Sequence, residues 1–182
     1  MTSVLVLVDI QRDYFPGGNL PLVAPDDAAD RAASLLEHFR ASGLPVIHVR
    51  HEGEPDAGFL VARTAGAEFD DRVAPRPSEP VVVKKNPNAF LDTPLQEELD
   101  RYEEAQLVVA GMMTSMCVDA TVRAASDLGF PVTVAADACA APDLAYGGTT
   151  VPGAMVHAAF IAALGSAYAR VQTVEEITAS AA

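Results

Sequence analysis

The sequence predicts an α/β fold, a three-layer α/β/α Rossmann-like sandwich built around a parallel sheet. Short, nearly continuous apolar runs of strand length alternate along the chain with longer segments of helical periodicity. This alternation is typical of a parallel sheet that helices cover on both faces. The run Ser3–Asp9 is the clearest example of a strand buried on both of its faces. Because 182 residues suit one such unit with a sizeable core, we expect a single domain over residues 1–182.

Each element follows from local signals. The predicted strands are Ser3–Asp9, Pro45–Val49, Val81–Val83, Leu107–Ala110, Pro131–Ala135 and Tyr168–Gln172. The predicted helices span residues 26–43, 93–102, 114–128, 151–164 and 173–178. We expect Asp26 or Asp27 to cap the first helix, and Asp92 or Thr93 to cap the second. Residues 51–80 are rich in Gly, Pro and charge, and so long an excursion is typical of a lid or a binding loop.

The composition excludes several classes of partner. The chain has 12 basic and 25 acidic side chains, a formal net charge of -13, which repels nucleic acid and anionic membrane. No apolar run reaches the roughly 18 residues of a membrane-spanning helix, and no signal peptide is expected. The two cysteines, Cys117 and Cys139, make no disulfide framework, so we expect a reduced, cytoplasmic setting.

Three reactive side chains follow predicted strands. Asp9 ends the first strand, Lys84 follows the third, and Cys117 follows the fourth, at the start of a helix whose dipole favours a thiolate. Each has an ordinary alternative: a turn cap for Asp9, a solvated cation for Lys84, and a small buried residue for Cys117. Because parallel strands end at one edge of a sheet, the three together favour a catalytic set of base, cation and nucleophile.

Three motifs resemble the isochorismatase-like cysteine hydrolases, and the resemblance runs from Leu5 to about Val171. The first motif is the apolar strand that leads into Asp9, Gln11 and Phe15. The second is Lys84 followed by Ala89-Phe90, and the third is Gly111-x-x-Thr114-x-x-Cys117-Val118-x-x-Thr121. Each motif alone is weak. All three, in this order and at these spacings, make a specific signature.

The resemblance implies a six-stranded parallel sheet in the order 3-2-1-4-5-6 and a catalytic triad of Asp9, Lys84 and Cys117. It implies hydrolysis of a C–N bond in a small-molecule amide, lactam, ureido or carbamoyl compound, through a thioester. It also implies an oxyanion hole formed by the backbone N–H groups of Met113 and Cys117, with a cis peptide bond between Met112 and Met113. Lys84 lies two strands from Asp9 in this order and must lean across the edge to reach it.

Within this family, the metal-free amidase branch that includes streptothricin hydrolase-like proteins is the most similar. Isochorismatases that cleave a vinyl ether need no thiol, and nicotinamidases carry an Asp-x-His metal site that the stretch His48–Glu52 lacks. His48 and His51 are three residues apart, so on a strand they point to opposite faces. We therefore expect no metal and no cofactor. A catalytically silent binding protein and a redox protein using Cys117 alone remain as alternatives, although Cys139 is not at a resolving spacing.

The remaining expectations concern the pocket and the assembly. The expected substrate-binding residues are Gln11, Phe15, Phe59, Phe90, Met116 and Tyr146. Asp137 is expected to order a neighbouring loop, His157 to be a core or interface residue, and Cys139 to be inert. The segment Val151–Leu164 is apolar on nearly every face, which predicts a helix buried all round and hence a homo-oligomer, a dimer or a tetramer. The excursion 51–80 is then expected to close the active site of its own chain or of its partner.

Overall fold

The computed structural model describes residues 1–180 and contains a six-stranded sheet with helices on both of its faces. The strand order is β3-β2-β1-β4-β5-β8, and every neighbouring pair is parallel. This confirms the α/β sandwich that the sequence pattern predicts and the strand order that the family resemblance implies, with the sixth predicted strand appearing as β8. The order reverses between β1 and β4, and ligands of such sheets bind beyond the carboxyl ends of the strands at that point.

The elements have the following bounds. The strands are β1 (Thr2–Val8), β2 (Val46–His51), β3 (Val81–Lys84), β4 (Ala105–Met112), β5 (Val132–Ala140), β6 (Leu144–Tyr146), β7 (Thr149–Val151) and β8 (Arg170–Gln172). The helices are α1 (Pro25–Ala41), α2 (Leu95–Leu99), α3 (Asp119–Asp127), α4 (Gly153–Ala167) and α5 (Val174–Ser180). Short 3-10 turns lie at Arg12–Tyr14, Ala65–Ala67 and Asp71–Val73, and a π-helical turn spans Thr114–Val118.

Alternating side chains of the buried strands divide the core into two layers. In β1, Leu5 and Leu7 pack against α1 and α5, whereas Val4, Val6 and Val8 pack on the opposite face with residues of α2, α3 and α4. Both faces of β1 are therefore apolar, as the continuous hydrophobic run predicts. This double burial fixes the strand's register, so that Asp9 is held at the carboxyl end of the sheet.

Two helices begin differently from the prediction. Helix α1 starts at Pro25, which occupies its first turn, and Ala24 rather than Asp26 or Asp27 is the N-cap. The two aspartates lie in the first turn instead, where they interact favourably with the helix dipole. Helix α2 covers only Leu95–Leu99 and does not continue to residue 102. The Thr93 hydroxyl accepts a hydrogen bond from the Leu95 N–H at 3.2 Å.

The sequence analysis missed a β-hairpin between β5 and α4. Strands β6 and β7 are antiparallel and are joined by Gly147-Gly148, both with positive φ, as a two-residue hairpin turn requires. Residue 151 therefore belongs to β7, and α4 begins at Gly153 rather than at 151. All six residues of the two strands are exposed.

Helix α4 is largely exposed within one chain, so the burial that the sequence analysis predicts for it requires a second subunit and stays a prediction. Only Gly153, Val156 and Leu164 of this helix are buried, and Met155 is 62% exposed. The helix is uncharged along its whole length, so the single chain presents an apolar surface to solvent. No helix within residues 1–180 is long and apolar enough to cross a membrane.

The excursion 51–80 is tied to the loop that follows β1. The carboxylate of Asp13, which is buried, accepts hydrogen bonds from the Leu60 N–H at 2.6 Å and from the Asn19 N–H at 3.0 Å. A Cβ atom at Gly66 would collide with the same carboxylate, so only glycine allows this approach. The excursion is therefore packed against the edge where Asp9 lies.

Candidate active site

Asp9 and Cys117 follow neighbouring strands at the switch in strand order. Gly111 lies beside Val8 in the parallel register of β1 and β4. A Cβ atom at Gly111 would collide with the Val8 carbonyl, and its φ is +145°. The glycine of the third motif thus lets the two strands run close together up to the point where the reactive side chains emerge. Asp9 itself has a left-handed backbone, with φ of +51°, which among non-glycine residues Asp and Asn adopt most readily.

Lys84 joins these two residues across the sheet edge. Its Nζ lies 2.6 Å from Asp9 Oδ2 and donates a hydrogen bond to Cys117 Sγ at 3.2 Å. The side chains of Asp9 and Lys84 are fully buried, and Cys117 is 5% exposed. The structure therefore brings together the three residues of the predicted triad. The Lys84 side chain is long enough to extend from the end of β3 to Asp9, two strands away.

The loop after Lys84 is held against α3 by the remaining motif residues. The Thr121 hydroxyl accepts a hydrogen bond from the Ala89 N–H at 3.0 Å and donates one to the Pro87 carbonyl at 3.4 Å. Thr121 is fully buried. The second and third motifs thus contact each other directly, which fixes the end of β3 relative to the turn that carries Cys117.

Cys117 lies in the π-helical turn Thr114–Val118 that precedes α3. The Val118 N–H donates to the Met113 carbonyl at 3.2 Å, so Met113 and Cys117 belong to one compact turn. The peptide bond between Met112 and Met113 is cis, as the resemblance implies. Whether the Met113 and Cys117 N–H groups form an oxyanion hole stays a prediction.

The resting charge of Cys117 follows from its burial. Burial raises the pKa of Cys117 to about 12, and the negative charge of Asp9 adds to this effect. The helix start favours a thiolate, whereas the burial of Cys117 opposes it. At neutral pH Cys117 is a thiol beside the Asp9–Lys84 ion pair.

Asp9 is placed to accept the thiol proton. Burial raises its pKa above the ordinary value, while the Lys84 charge opposes this shift. Burial would lower the pKa of Lys84, but the charges of Asp9 and Cys117 outweigh it and raise the pKa. Lys84 Nζ lies 2.6 Å from Asp9 Oδ2, within hydrogen-bonding distance, and a carboxylate has further acceptor sites besides this one. The carboxylate thus keeps lone pairs for a proton.

His51 is a further member of this cluster, which the sequence analysis considered only as a metal ligand. It ends β2, and its Nδ1 lies 3.1 Å from Lys84 Nζ. Its strand position was the available signal, because the carboxyl ends of neighbouring parallel strands meet at one edge. His48 points the other way, as its spacing predicts, and its Nε2 lies 2.9 Å from Glu79 Oε2.

Asp9, His51 and Cys117 offer donor atoms that all lie within 4.8 Å of one another. Carboxylate, imidazole and thiolate are ligands that zinc accepts. Here, however, the Lys84 ammonium lies 2.6, 3.1 and 3.2 Å from one atom of each of these three groups. The lysine cation thus occupies the position that a metal ion would need, and the residues present do not fit a metal centre.

Three of the expected substrate-binding residues have other partners. Gln11 is fully buried, and its amide bonds to the main chain of His51 and Ala67. The ring of Phe15, also buried, faces the Arg72 guanidinium at 5.0 Å. Phe90 stacks on Phe130, which precedes β5 at the opposite end of the sheet. These placements favour roles in packing and positioning over substrate contact.

The other expected pocket residues lie closer to the edge or in solvent. Met116, next to Cys117, is 46% exposed, whereas Tyr146 is 91% exposed on the β6–β7 hairpin. Phe59 lies 6.4 Å from Tyr14, measured between ring centroids. Burial raises the pKa of Tyr14, and the negative charges of Asp9 and Cys117 add to the shift. Tyr14 thus lies near the reactive cluster, although the sequence analysis did not single it out.

The structure also places the three accessory residues. Asp137 accepts a hydrogen bond from the Val174 N–H at 2.8 Å and so orders the start of α5. Nδ1 of His157, which is half-buried, lies 3.0 Å from the Thr114 hydroxyl, a contact that joins α4 to the Cys117 turn. Cys139 is buried, and its Sγ donates to the Ala135 carbonyl.

Comparison with known proteins agrees with this geometry. The family model for the isochorismatase domain matches residues 3–176, so the chain belongs to the isochorismatase family. It is similar to a crystal structure described as an isochorismatase hydrolase from Oleispira antarctica, with a TM-score of 0.95, 48% identity, and coverage of 98% of this chain and 96% of that one.

Two curated relatives show the range of this similarity. An uncharacterised isochorismatase family protein of Bacillus subtilis, YddQ, is 46% identical over 96% of this chain and 98% of its own length. A streptothricin hydrolase of Streptomyces noursei is 37% identical over 90% of this chain but only 59% of its own length. The chain is thus a hydrolase-type member of the family.

Proposed function

We propose that this protein is a cysteine hydrolase that cleaves a C–N bond of a small-molecule amide, lactam, ureido or carbamoyl compound through a thioester. The observation that carries the proposal is the position of Lys84 Nζ, 2.6 Å from Asp9 Oδ2 and 3.2 Å from Cys117 Sγ, with all three groups buried. A base, a cation and a nucleophile at this spacing are the parts that covalent acyl transfer needs.

The first half of the reaction forms the acyl-enzyme. The Cys117 proton moves to Asp9 as the sulfur attacks the substrate carbonyl carbon, and Lys84 stabilises the sulfur's developing negative charge. Backbone N–H groups of Met113 and Cys117 would hold the tetrahedral oxyanion. Asp9 then gives its proton to the leaving nitrogen as the C–N bond breaks. A leaving amine needs this proton, which is why a carboxyl group beside the thiol suits C–N cleavage.

The second half regenerates the enzyme. Asp9 removes a proton from a water molecule, whose oxygen attacks the thioester carbonyl carbon. The C–S bond breaks, the acid product leaves, and Asp9 returns the proton to the Cys117 sulfur. Every proton that leaves sulfur or water passes through one carboxyl group, and no external oxidant or reductant is consumed.

Side-chain placement argues against the alternatives. The nicotinamidase alternative needs free histidine ligands, but Nε2 of His48 lies against Glu79 and Nδ1 of His51 against Lys84. A vinyl ether hydrolase gives Cys117 no task. A redox protein that uses Cys117 alone leaves Asp9 and Lys84 without a function. A silent binding protein does not need a buried ion pair next to a thiol.

The test is a screen for ammonia or amine release over amides, lactams, carbamoyl and ureido compounds. Cys117→Ala, Asp9→Asn and Lys84→Met should each abolish release, and asparagine suits the left-handed backbone at residue 9. Cys139→Ala is the matched control, since it removes the other buried cysteine and should retain activity. Mass spectrometry of the quenched enzyme should show an acyl adduct on Cys117, and EDTA should leave the rate unchanged. Release that persists in Cys117→Ala would refute the proposal.

A further inference from the structure

The Lys84 ammonium has three N–H donors, and three different groups surround it. Asp9 Oδ2 lies 2.6 Å from Nζ, Cys117 Sγ 3.2 Å, and His51 Nδ1 3.1 Å. An ammonium can only donate, so each of these groups must act as an acceptor or a counter-charge. The first two belong to the proposed reaction. The third, His51, has no role in it so far.

This geometry fixes the proton of the imidazole. Nδ1 of His51 can accept from Lys84 only if it carries a lone pair, so the ring is neutral and its proton resides on Nε2. The environment agrees, because burial lowers the pKa of His51 to about 4 and the Lys84 charge adds to the shift. The titratable groups beside the ring are Lys84 on β3, Asp9 after β1 and Cys117 before α3.

His51 is itself held in place from behind. Gln11 Oε1 accepts from the His51 N–H at 2.9 Å, and Gln11 Nε2 donates to the His51 carbonyl at 2.9 Å. Gln11 is fully buried, so water does not compete for these bonds. The charged residues on either side of His51 are engaged with each other, since Arg50 on β2 lies 2.6 Å from Glu52, directly after the strand. The imidazole is therefore a fixed acceptor.

We propose that His51 is a positioning residue that accepts the third Lys84 N–H and so keeps the ammonium aimed at Asp9 and Cys117. The inference rests on the proposed function, because it assigns His51 a part in the same reaction. Without this acceptor, one buried N–H of the ammonium has no partner, and the cation can turn toward another group. The Cys117 thiolate, which forms during the reaction, is then less well stabilised.

Three substitutions separate this role from its alternatives. In His51→Asn, Oδ1 stands near the place of Nδ1 and can accept from Lys84. In His51→Gln, the amide reaches the place of Nε2 instead, and in His51→Leu no acceptor remains. His38→Leu is the control, because His38 lies on α1 beside residues at the opposite end of the sheet. Thermal unfolding of every variant monitors the fold.

Two readouts are used. The first is kcat and KM on a compound found in the screen. We expect His51→Leu and His51→Gln to lower kcat on the order of 10–100-fold, by analogy with the loss found when a partner that orients a metal ligand is removed, with KM little changed. His51→Asn should recover most of kcat. The second is the pH dependence of Cys117 alkylation by iodoacetamide, whose midpoint should move to higher pH in the Leu variant and return in the Asn variant.

The outcomes divide cleanly. Equal kcat and equal alkylation midpoints in wild type and His51→Leu would overturn the inference. Retained activity in His51→Gln with loss in His51→Asn would also overturn it, since the ring would then act through Nε2. Alkylation needs no substrate, so it tests His51 even if no C–N compound is hydrolysed. Failure of the proposed function shows instead as amine release by Cys117→Ala.

Discussion

The side-chain amide of Gln11 binds the main chain of His51 through two hydrogen bonds, as a neighbouring strand would. Its oxygen accepts from the His51 N–H and its nitrogen donates to the His51 carbonyl, both at 2.9 Å. The same nitrogen also donates to the Ala67 carbonyl at 2.7 Å. One side chain thus connects the loop after β1, the end of β2 and the excursion 51–80. It supports the edge on which the Asp9–Lys84–Cys117 cluster lies.

Gln11→Glu should be destabilising, because the acceptor remains but a carboxylate then faces two carbonyl oxygens in a buried place. Leaving buried carbonyl groups unsatisfied costs about 1–3 kcal/mol, and more for a charged group. We expect a lower free energy of unfolding in urea and a fall in kcat at temperatures where the variant is still folded. Gln96→Glu, an exposed change on α2, is the control and should alter neither. Wild-type stability in Gln11→Glu would contradict the structural role of Gln11.

The pH profile of kcat/KM should be a broad plateau with two limbs. Asp9 must be ionised to accept a proton, and its pKa is raised. Activity should therefore be lost with decreasing pH, and the midpoint of this loss should lie above the ordinary carboxyl pKa of about 3.9. Lys84 must stay protonated, and its pKa is also raised, so activity should persist beyond about pH 10. Stopped assays across this range measure both limbs.

One comparison identifies the group behind the acid limb. The pKa of His51, near 4, lies in the same range. If Asp9 causes the acid limb, the limb should remain in His51→Asn, because asparagine at residue 51 does not titrate. A plateau that extends unchanged to pH 3 in the wild type would argue against Asp9 as the base.

Glu79 should make stability depend on acid pH. Arg40 binds its carboxylate through two nitrogens at 2.7 Å, and this ion pair, opposed by burial, lowers the pKa of Glu79 to about 2. A lowered pKa stabilises the fold above the unfolded value of about 4.5, and the stability is lost as pH falls toward 2. Because water screens this partly exposed pair, we expect it to contribute on the order of 1–2 kcal/mol at pH 7.

Glu79→Gln should therefore unfold more readily at pH 7 and show a weaker loss of stability between pH 4.5 and pH 2 than the wild type. Urea unfolding at a series of pH values measures this directly. Glu97→Gln, an exposed change on α2, should follow the wild-type curve. Parallel curves for Glu79→Gln and the wild type would show that the ion pair contributes nothing.

The exposed apolar face of α4 should be covered in solution by a second copy of the chain. Each chain carries a net charge of -13, so most surfaces of two copies repel each other. The α4 surface is uncharged and adds nothing to this repulsion. We expect light scattering to give a dimer or a tetramer rather than the 19.0 kDa monomer. Met155→Glu should shift the mass toward the monomer, whereas Leu128→Glu, which alters an exposed apolar residue directly after α3, should not. A wild-type monomer at micromolar concentration would refute this expectation.

The sheet and the reactive cluster were predictable because each depends on local signals. Continuous apolar runs define the strands, and Asp9, Lys84 and Cys117 follow three of them in a fixed parallel topology. Side-chain direction was not predictable in the same way. Phe90 turns toward Phe130 because of packing that involves distant parts of the chain. The high pKa of Cys117 likewise reflects burial by the whole fold, whereas the helix dipole considered in the sequence analysis is a local effect.

The His51 contact with Lys84 shows a different limit of the sequence. A position at a strand end indicates the correct edge, but it does not say which ring nitrogen approaches which partner. That contact depends on Gln11, whose hydrogen bonds reach 40 residues along the chain. The β6–β7 hairpin was missed for a simpler reason, since short exposed strands lack the apolar run that marks the buried ones.

The ion pair of Asp9 and Lys84 has a consequence for the energy of the proposed reaction. Before attack, one negative carboxylate and one positive ammonium share the buried site; after proton transfer, a negative thiolate replaces the carboxylate beside the same ammonium. The total charge of the enclosed groups is zero at both stages, and only its location changes. Each step therefore avoids the large penalty of creating net charge away from water. A substrate that brings a carboxylate next to Cys117 would upset this balance, whereas an uncharged amide would preserve it.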